Sequence, residues 1–291
     1  VNYTSATRQL FNTFNYLFLA VLSALCLLPL LHILAVSFSG KAPAEANLIG
    51  LWPIDFTLDA YAATINNQLF LDSLWMAVVR TMLGTTLCMA LVFLCAYPLS
   101  KDKGFKGRSA YAWFFVFTML FSGGLVPSYI VMQKLGLMNS IWALVLPSAV
   151  NVWLIVLMLN FFRNVPHELE EASLIDGAGH FRTMVSVHLP LSMPSIATLS
   201  LFSMVFHWNE WFTGLLYLTE SSKYPLATFL QTVIVQQDLT RVTRNPEALA
   251  NIAQRSVKAA QICIGAFPIL IVYPFMQKYF ITGIVVGAVK E

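Results

Sequence analysis

The chain has 291 residues, of which 58% are hydrophobic and 11% charged, and its mean hydropathy is +0.70. An average soluble domain carries roughly 25% charged residues, so this composition excludes a soluble enzyme and indicates an integral membrane protein. The net charge of +3 is too small to argue for a nucleic-acid partner.

Length alone suggests about two domains. No polar stretch is long enough to form a second core, so one transmembrane domain over 1–291 is expected. A spanning helix needs roughly 20 mostly apolar residues. Six stretches qualify: 11–38, 71–99, 110–132, 141–162, 195–218 and 257–279. None alternates as a barrel strand would, so the predicted fold class is all-α, a six-span bundle. The first apolar run is too long for a signal-peptide core and lacks a small-residue cleavage site, so it reads as a retained anchor. Pro29 and Pro98 fall in or near spans, where neighbouring helices can satisfy the freed carbonyls. The cysteines (Cys26, Cys88, Cys95, Cys263) lie in apolar stretches without metal-ligand spacing and read as small, inert hydrophobes.

Six spans put both termini on one side. Lys101, Lys103, Lys106 and Arg108 lie within eight positions between spans 2 and 3, which places that loop and both termini in the cytoplasm. Loops 39–70 and 219–256 then face outward. In the second, Pro225 suits a helix start. Leu226, Phe229, Leu230, Val233 and Gln237 follow at helical spacing, and another short helix is expected over 246–255. These helices either lie on the membrane surface or receive an external protein.

The polar loop 164–194, between spans 4 and 5, is cytoplasmic by the same parity. It holds Glu168, Glu170, Glu171, Asp176, His180, Arg182 and His188. Asn164 can cap a helix with Pro166 and Glu168 in its first turn. Glu170 and Glu171 lie near the positive end of its dipole. Leu169, Ala172 and Ile175 recur three apart on one apolar face. Gly177 can end this helix in a left-handed conformation. A second amphipathic helix over 179–187 is expected to stop at Pro190. The histidines of this loop read as solvated, and His32, near the outer end of span 1, as a satisfied polar residue.

Glu171-Ala172-Ser173, then Gly177, then Val187-x-Leu189-Pro190 resembles the "EAA" loop of permease subunits of bacterial ATP-binding cassette importers. Ser173 and Val187 replace the alanine and isoleucine of that pattern. Tyr97-Pro98-Leu99-Ser100 with Phe105-Lys106-Gly107-Arg108 resembles the sugar branch, similar to the smaller maltose permease. Gly123-Gly124-Leu125-Val126-Pro127, Leu135-Gly136-Leu137, Trp142-Ala143-Leu144 and Gln277-Lys278-Tyr279-Phe280 with Gly283 and Gly287 resemble a narrower group. That group handles complex or acidic oligosaccharides, including pectin-type and alginate fragments, and an alginate-oligosaccharide permease fits the pattern.

The resemblance implies a type I importer permease fold in a bacterial inner membrane, with a cytoplasmic coupling helix between spans 4 and 5. It implies a second homologous permease, two ATPase subunits, an extracytoplasmic solute-binding protein, an oligosaccharide substrate and surrounding lipid as partners. It implies that Glu170, Glu171, Ala172, Ser173, Asp176, Gly177, Leu189 and Pro190 carry ATPase coupling. ATP and Mg would belong to the ATPase subunit; no G-x-x-x-x-G-K-[ST] phosphate loop occurs here, so no cofactor, metal or catalytic residue is assigned to this chain.

Ionisable groups at membrane depth usually face a cavity or a partner. His207-Trp208-Asn209-Glu210-Trp211 in span 5 is such a cluster. Trp208 and Trp211 can stack on sugar rings, and Asn209 and Glu210 can hydrogen-bond hydroxyls; alternatively both Trp residues anchor an interface. Helical geometry keeps all five from lining one pore. Arg80 in span 2 either meets an acidic sugar or pairs with Glu210. Rival readings are an ion-coupled secondary transporter, for which no internal repeat is visible, and a membrane-embedded enzyme, for which no catalytic cluster can be assembled.

Overall fold

A computed structural model describes residues 6–101, 105–233 and 255–288. Its contacts divide the chain into two compact units, Val1–Phe70 with Val235–Phe267, and Leu71–Ile234 with Pro268–Glu291. Every regular element among the described residues is helical.

In the first unit, α1 (Ala6–Ser37) is one long apolar helix. Thr13 and Ser23 donate their hydroxyls to carbonyls one turn back, so neither presents an unpaired polar group to an apolar surrounding. No residue of its apolar window is buried. Cys26 is accordingly exposed, unlike Cys88, which is buried. The segment after α1 is folded. Ser39 donates to Ala35 and accepts from the Ile54 amide, while Thr57 N–H bonds Phe38 O. His32 Nδ1 lies 2.8 Å from Gly50 O, which gives it the polar partner expected. Two short helices, α2 (Lys41–Glu45) and α3 (Asp59–Ile65), flank this turn-rich stretch. Ala35, Val36, Ala44, Ile49 and Ala259 form the small core.

The second unit contains most of α4 (Gln68–Ser100), whose 33 residues span about 50 Å at 1.5 Å per residue. That exceeds a hydrocarbon core of about 30 Å, so α4 is long enough to cross it with length to spare. α5 (Arg108–Leu120) and α6 (Leu125–Lys134) follow, then α7 (Ile141–Val145) and α8 (Val152–Arg163). Cys88, Val92 and Ala96 recur every four residues along α4 and pack on Leu154, Ile155, Met158 and Phe162 of α8, with Leu199 and Met184. Lipid tails are as apolar as these side chains, so close packing through small residues holds such helices together. Gly84 marks a close approach: a Cβ there would sit 2.5 Å from the His207 ring.

The predicted third and fourth spans are broken. Gly124, at φ +89° and ψ 176°, sits between α5 and α6, which bend by 111°. That backbone is open to glycine and hostile to other residues. The fourth bends by 49° before Asn151, whose side chain caps α8 by accepting from the Leu154 amide. Among the described residues three helices are long and apolar enough to cross a membrane singly, and the number rises to as many as six if each of three bent pairs is one span.

Candidate functional site

The segment after α8 folds as a short helix, a tight turn and a second helical stretch. Asn164 does not cap the short helix as expected; it ends α8, in αR conformation. α9 (His167–Ile175) starts after Pro166, whose ring fixes φ near −65° and whose ψ of 132° redirects the chain. Glu168 and Glu170 occupy its first turn, where the helix dipole favours negative charge. At its other end Gly177, at φ +80°, closes a Schellman motif: Gly177 N–H bonds Leu174 O and Ala178 N–H bonds Ser173 O. A Cβ at Gly177 would meet nothing within 4 Å, so the positive φ alone selects glycine.

The next stretch is α10 (His180–Thr183), a π turn at Met184–His188 and α11 (Leu189–Leu191). Pro190 does not end the helix, contrary to expectation. The widened π turn just ahead of it shifts the hydrogen-bond register where a proline would otherwise leave a carbonyl unpaired. Ser173 and Thr183 hydroxyls lie 3.0 Å apart and tie α9 to α10. Leu189 packs against the α4–α8 core, and Pro190 is exposed.

The two adjacent acids of α9 point in different directions. Glu171 is 66% exposed and lies 3.9 Å from His167. Glu170 is buried: its carboxylate lies 2.6 Å from Lys101 Nζ and 3.7 Å from His188 Nε2. The expectation that His188 is solvated is overturned, because it is 2% exposed and wedged edge-on against Tyr97 and Phe162. Burial and the Lys101 ammonium push its pKa down to about 4, opposed by Glu170. A neutral ring lets Nε2 accept from Lys101, 3.1 Å away. Burial also lowers the Lys101 pKa, offset by Glu170. The sequence marked Lys101 only as a topology signal. One clue to His188 was its place one helical turn after the apolar Met184.

On the outward side of α9 and α10 the chain leaves apolar groups uncovered. Ile175 is 85% exposed and Phe181 69%, with Leu169 and Leu174 also exposed and Ala172 and Asp176 beside them.

In the fifth span, α12 (Met193–Asn209) stops at Glu210, and α13 (Phe212–Tyr217) resumes after Trp211. Arg80 of α4, 1% exposed, pairs with Glu210 Oε2, donates to Glu210 O at 2.6 Å and to Thr213 Oγ1 at 3.1 Å. Glu210 Oε1 accepts from the Thr213 amide at 2.8 Å, capping α13. Of the two roles open to Arg80, the structure thus gives it the ion pair with Glu210. His207 is buried beside Gly84. Trp208 lines an apolar cleft of about 390 Å³ with Val78, Met82, Met204, Pro268 and Val272. Asn209, Glu210 and Trp211 line a separate open depression with Val205 and Phe206. The five-residue cluster is therefore split over three environments. The sequence missed Thr213, which completes the ion-pair cluster. Beyond α13, helix α14 (226–233) begins after Pro225 as expected; Gln237 and the expected helix over 246–255 lie outside the described residues, apart from the start of α15 (Arg255–Ala288).

Comparisons with known proteins bear on these features. The chain is 40% identical over 282 residues to the protein LplC of Bacillus subtilis strain 168, covering 97% of this chain and 95% of that one. It is 38% identical over 288 residues to the polygalacturonan/rhamnogalacturonan transport system permease protein YtcP of the same organism, covering 97% and 99%. Its fold matches a chain of a bacterial ABC transporter involved in import of the acidic polysaccharide alginate, with TM-score 0.87 and 28% identity, over 96% of this chain and 100% of that one. Residues 2–286 match one family model, and the chain belongs to that family, the binding-protein-dependent transport system inner membrane components.

Proposed function

We propose that this chain is the permease subunit of an ATP-driven oligosaccharide importer, pairing with a second permease and driven by two ATPase subunits that hold ATP and Mg. The observation that carries this reading is α9. It is a short helix in the polar segment between two apolar spans, closed by Gly177 and presenting Ile175 without cover, with Phe181 of α10 uncovered beyond the turn. An apolar face on a charged surface requires a partner's groove. Glu171 stands at its exposed rim, suited to orient docking, and Gly177 sets the angle to α10. This chain performs no chemistry; its ATPase partners hydrolyse nucleotide on the cytoplasmic side. The basic residues around Lys106 and Arg108 support a cytoplasmic placement of this end and of both termini, with 39–70 and 219–256 outside to meet a solute-binding protein.

The substrate class is complex or acidic oligosaccharides. The polygalacturonan/rhamnogalacturonan and alginate systems among the similar proteins support it. Asn209 and Trp211, exposed at the break of the fifth span, are the residues best placed to touch sugar. Arg80 and Glu210 hold each other and act by shaping that break.

The test is ATP hydrolysis by the co-purified complex in liposomes, with binding protein empty or loaded with acidic or neutral oligosaccharide. Stimulation by the acidic class is expected. The absence of associated ATPase activity under every loading overturns the importer reading, and stimulation by neutral sugar alone overturns the substrate class.

A further inference from the structure

Resting on that function, we infer that Lys101, Glu170 and His188 form a strut through which displacement of α9 is delivered to α4. Lys101 directly follows α4, Glu170 lies on the inward side of α9, and His188 closes the π turn. The ammonium is fully engaged: it contacts Glu170 Oε2 at 2.6 Å, His188 Nε2 at 3.1 Å and the face of Tyr97 at 4.1 Å. Lys101 and Glu170 side chains are 15% and 12% exposed. Removing one charge would leave the other buried and unpaired, so the pair resists separation.

The mechanics follow from what borders α9. On one side the chain turns at Pro166, and on the other at Gly177; both are backbone joints rather than continuous helix. A push on α9 could be absorbed by rotation at these joints. The Glu170–Lys101 pair adds a lateral connection to a 33-residue helix that runs to membrane depth and carries Arg80, the partner of the broken fifth span. His188 backs the pair from below and is itself braced by Phe162 at the end of α8 and by Tyr97 of α4. These are positioning residues. They are distinct from the exposed Glu171, whose side chain points away from the cluster.

The experiment measures labelled oligogalacturonide or alginate oligosaccharide, whichever the wild-type complex takes up, moved per ATP hydrolysed in proteoliposomes. In Lys101→Met and Glu170→Gln the complex is expected to assemble and hydrolyse ATP, while sugar moved per ATP falls by about tenfold. Lys101→Arg keeps the coupling, and the exchange Lys101→Glu with Glu170→Lys restores part of it. Unchanged stoichiometry in both single variants overturns the strut. So does a parallel loss of hydrolysis and uptake with no recovery in the exchange variant. Failure of every variant, Lys101→Arg included, to assemble assigns the cluster to folding and also overturns it. A wild-type complex without stimulated hydrolysis or uptake would instead overturn the importer reading itself.

Discussion

At the residue scale, Gly177 and His188 illustrate two kinds of constraint. Gly177 is held by its dihedral alone, since the space around its Cα is open. A left-handed conformation costs an ordinary residue about 1–2 kcal/mol, and asparagine tolerates it better than a β-branched residue does. Gly177→Val is therefore expected to abolish uptake while the subunit remains in the membrane, and Gly177→Asn to retain most uptake; immunoblots of membranes and sugar uptake check both. His188 is constrained by burial. It stays neutral in the fold until pH reaches about 4, whereas an unfolded histidine protonates near 6.5. Between these values the unfolded chain binds more protons, so stability contributed at this site is full above about pH 7 and is lost as pH falls from about 6.5 towards 4. The groups facing the ring are Lys101, Glu170 and Tyr97. His188→Gln keeps an acceptor without the titration and should flatten that part of the melting temperature against pH; equal slopes in the two proteins would sink the assignment. The glycine was legible because an apolar helical face simply stopped at it. The histidine was not, because its burial depends on α4 and α8, which lie far from it in sequence.

At the element scale, the apolar runs announced where helices would lie but not how they would break. A run such as 110–132 has the hydrophobicity of one span, and hydrophobicity is indifferent to a 111° bend. The bend is local backbone chemistry at Gly124, and the glycine pair in the sequence was its available sign. The break in the fifth span is different: Glu210 supplies the cap for α13 and the acceptor for Arg80 together. The sequence offered Arg80 two partners, an acidic sugar or Glu210, by its charge at membrane depth, but no spacing within 195–218 announced that the pairing falls at a helix break. Removing one member of a buried ion pair typically costs about 3–5 kcal/mol. Arg80→Met should accordingly lower the melting temperature of the solubilised complex and displace α13. An unchanged melting temperature would show that the cluster contributes little to the break.

At the scale of the whole molecule, composition, span number and the EAA-like loop were enough to reach the family, since lipid leaves few fold classes open. The division of labour inside the chain needed coordinates. The charged loop sorts its adjacent acids into an exposed Glu171 and an interior Glu170, and the span-5 cluster separates into the buried His207, an apolar cleft at Trp208 and an open depression at Asn209, Glu210 and Trp211. The glycine contacts of the second unit carry a further consequence, for how such chains diverge. A Cβ at Gly84 would lie 2.5 Å from the imidazole of His207, and one at Gly214 would lie 2.1 Å from the hydroxyl of Thr228. Neither glycine can drift alone. A lineage that acquires a side chain at 84 must first trade the imidazole at 207 for something smaller, and the same order binds 214 to 228. Each pair is therefore expected to vary together, with the order of replacement set by volume.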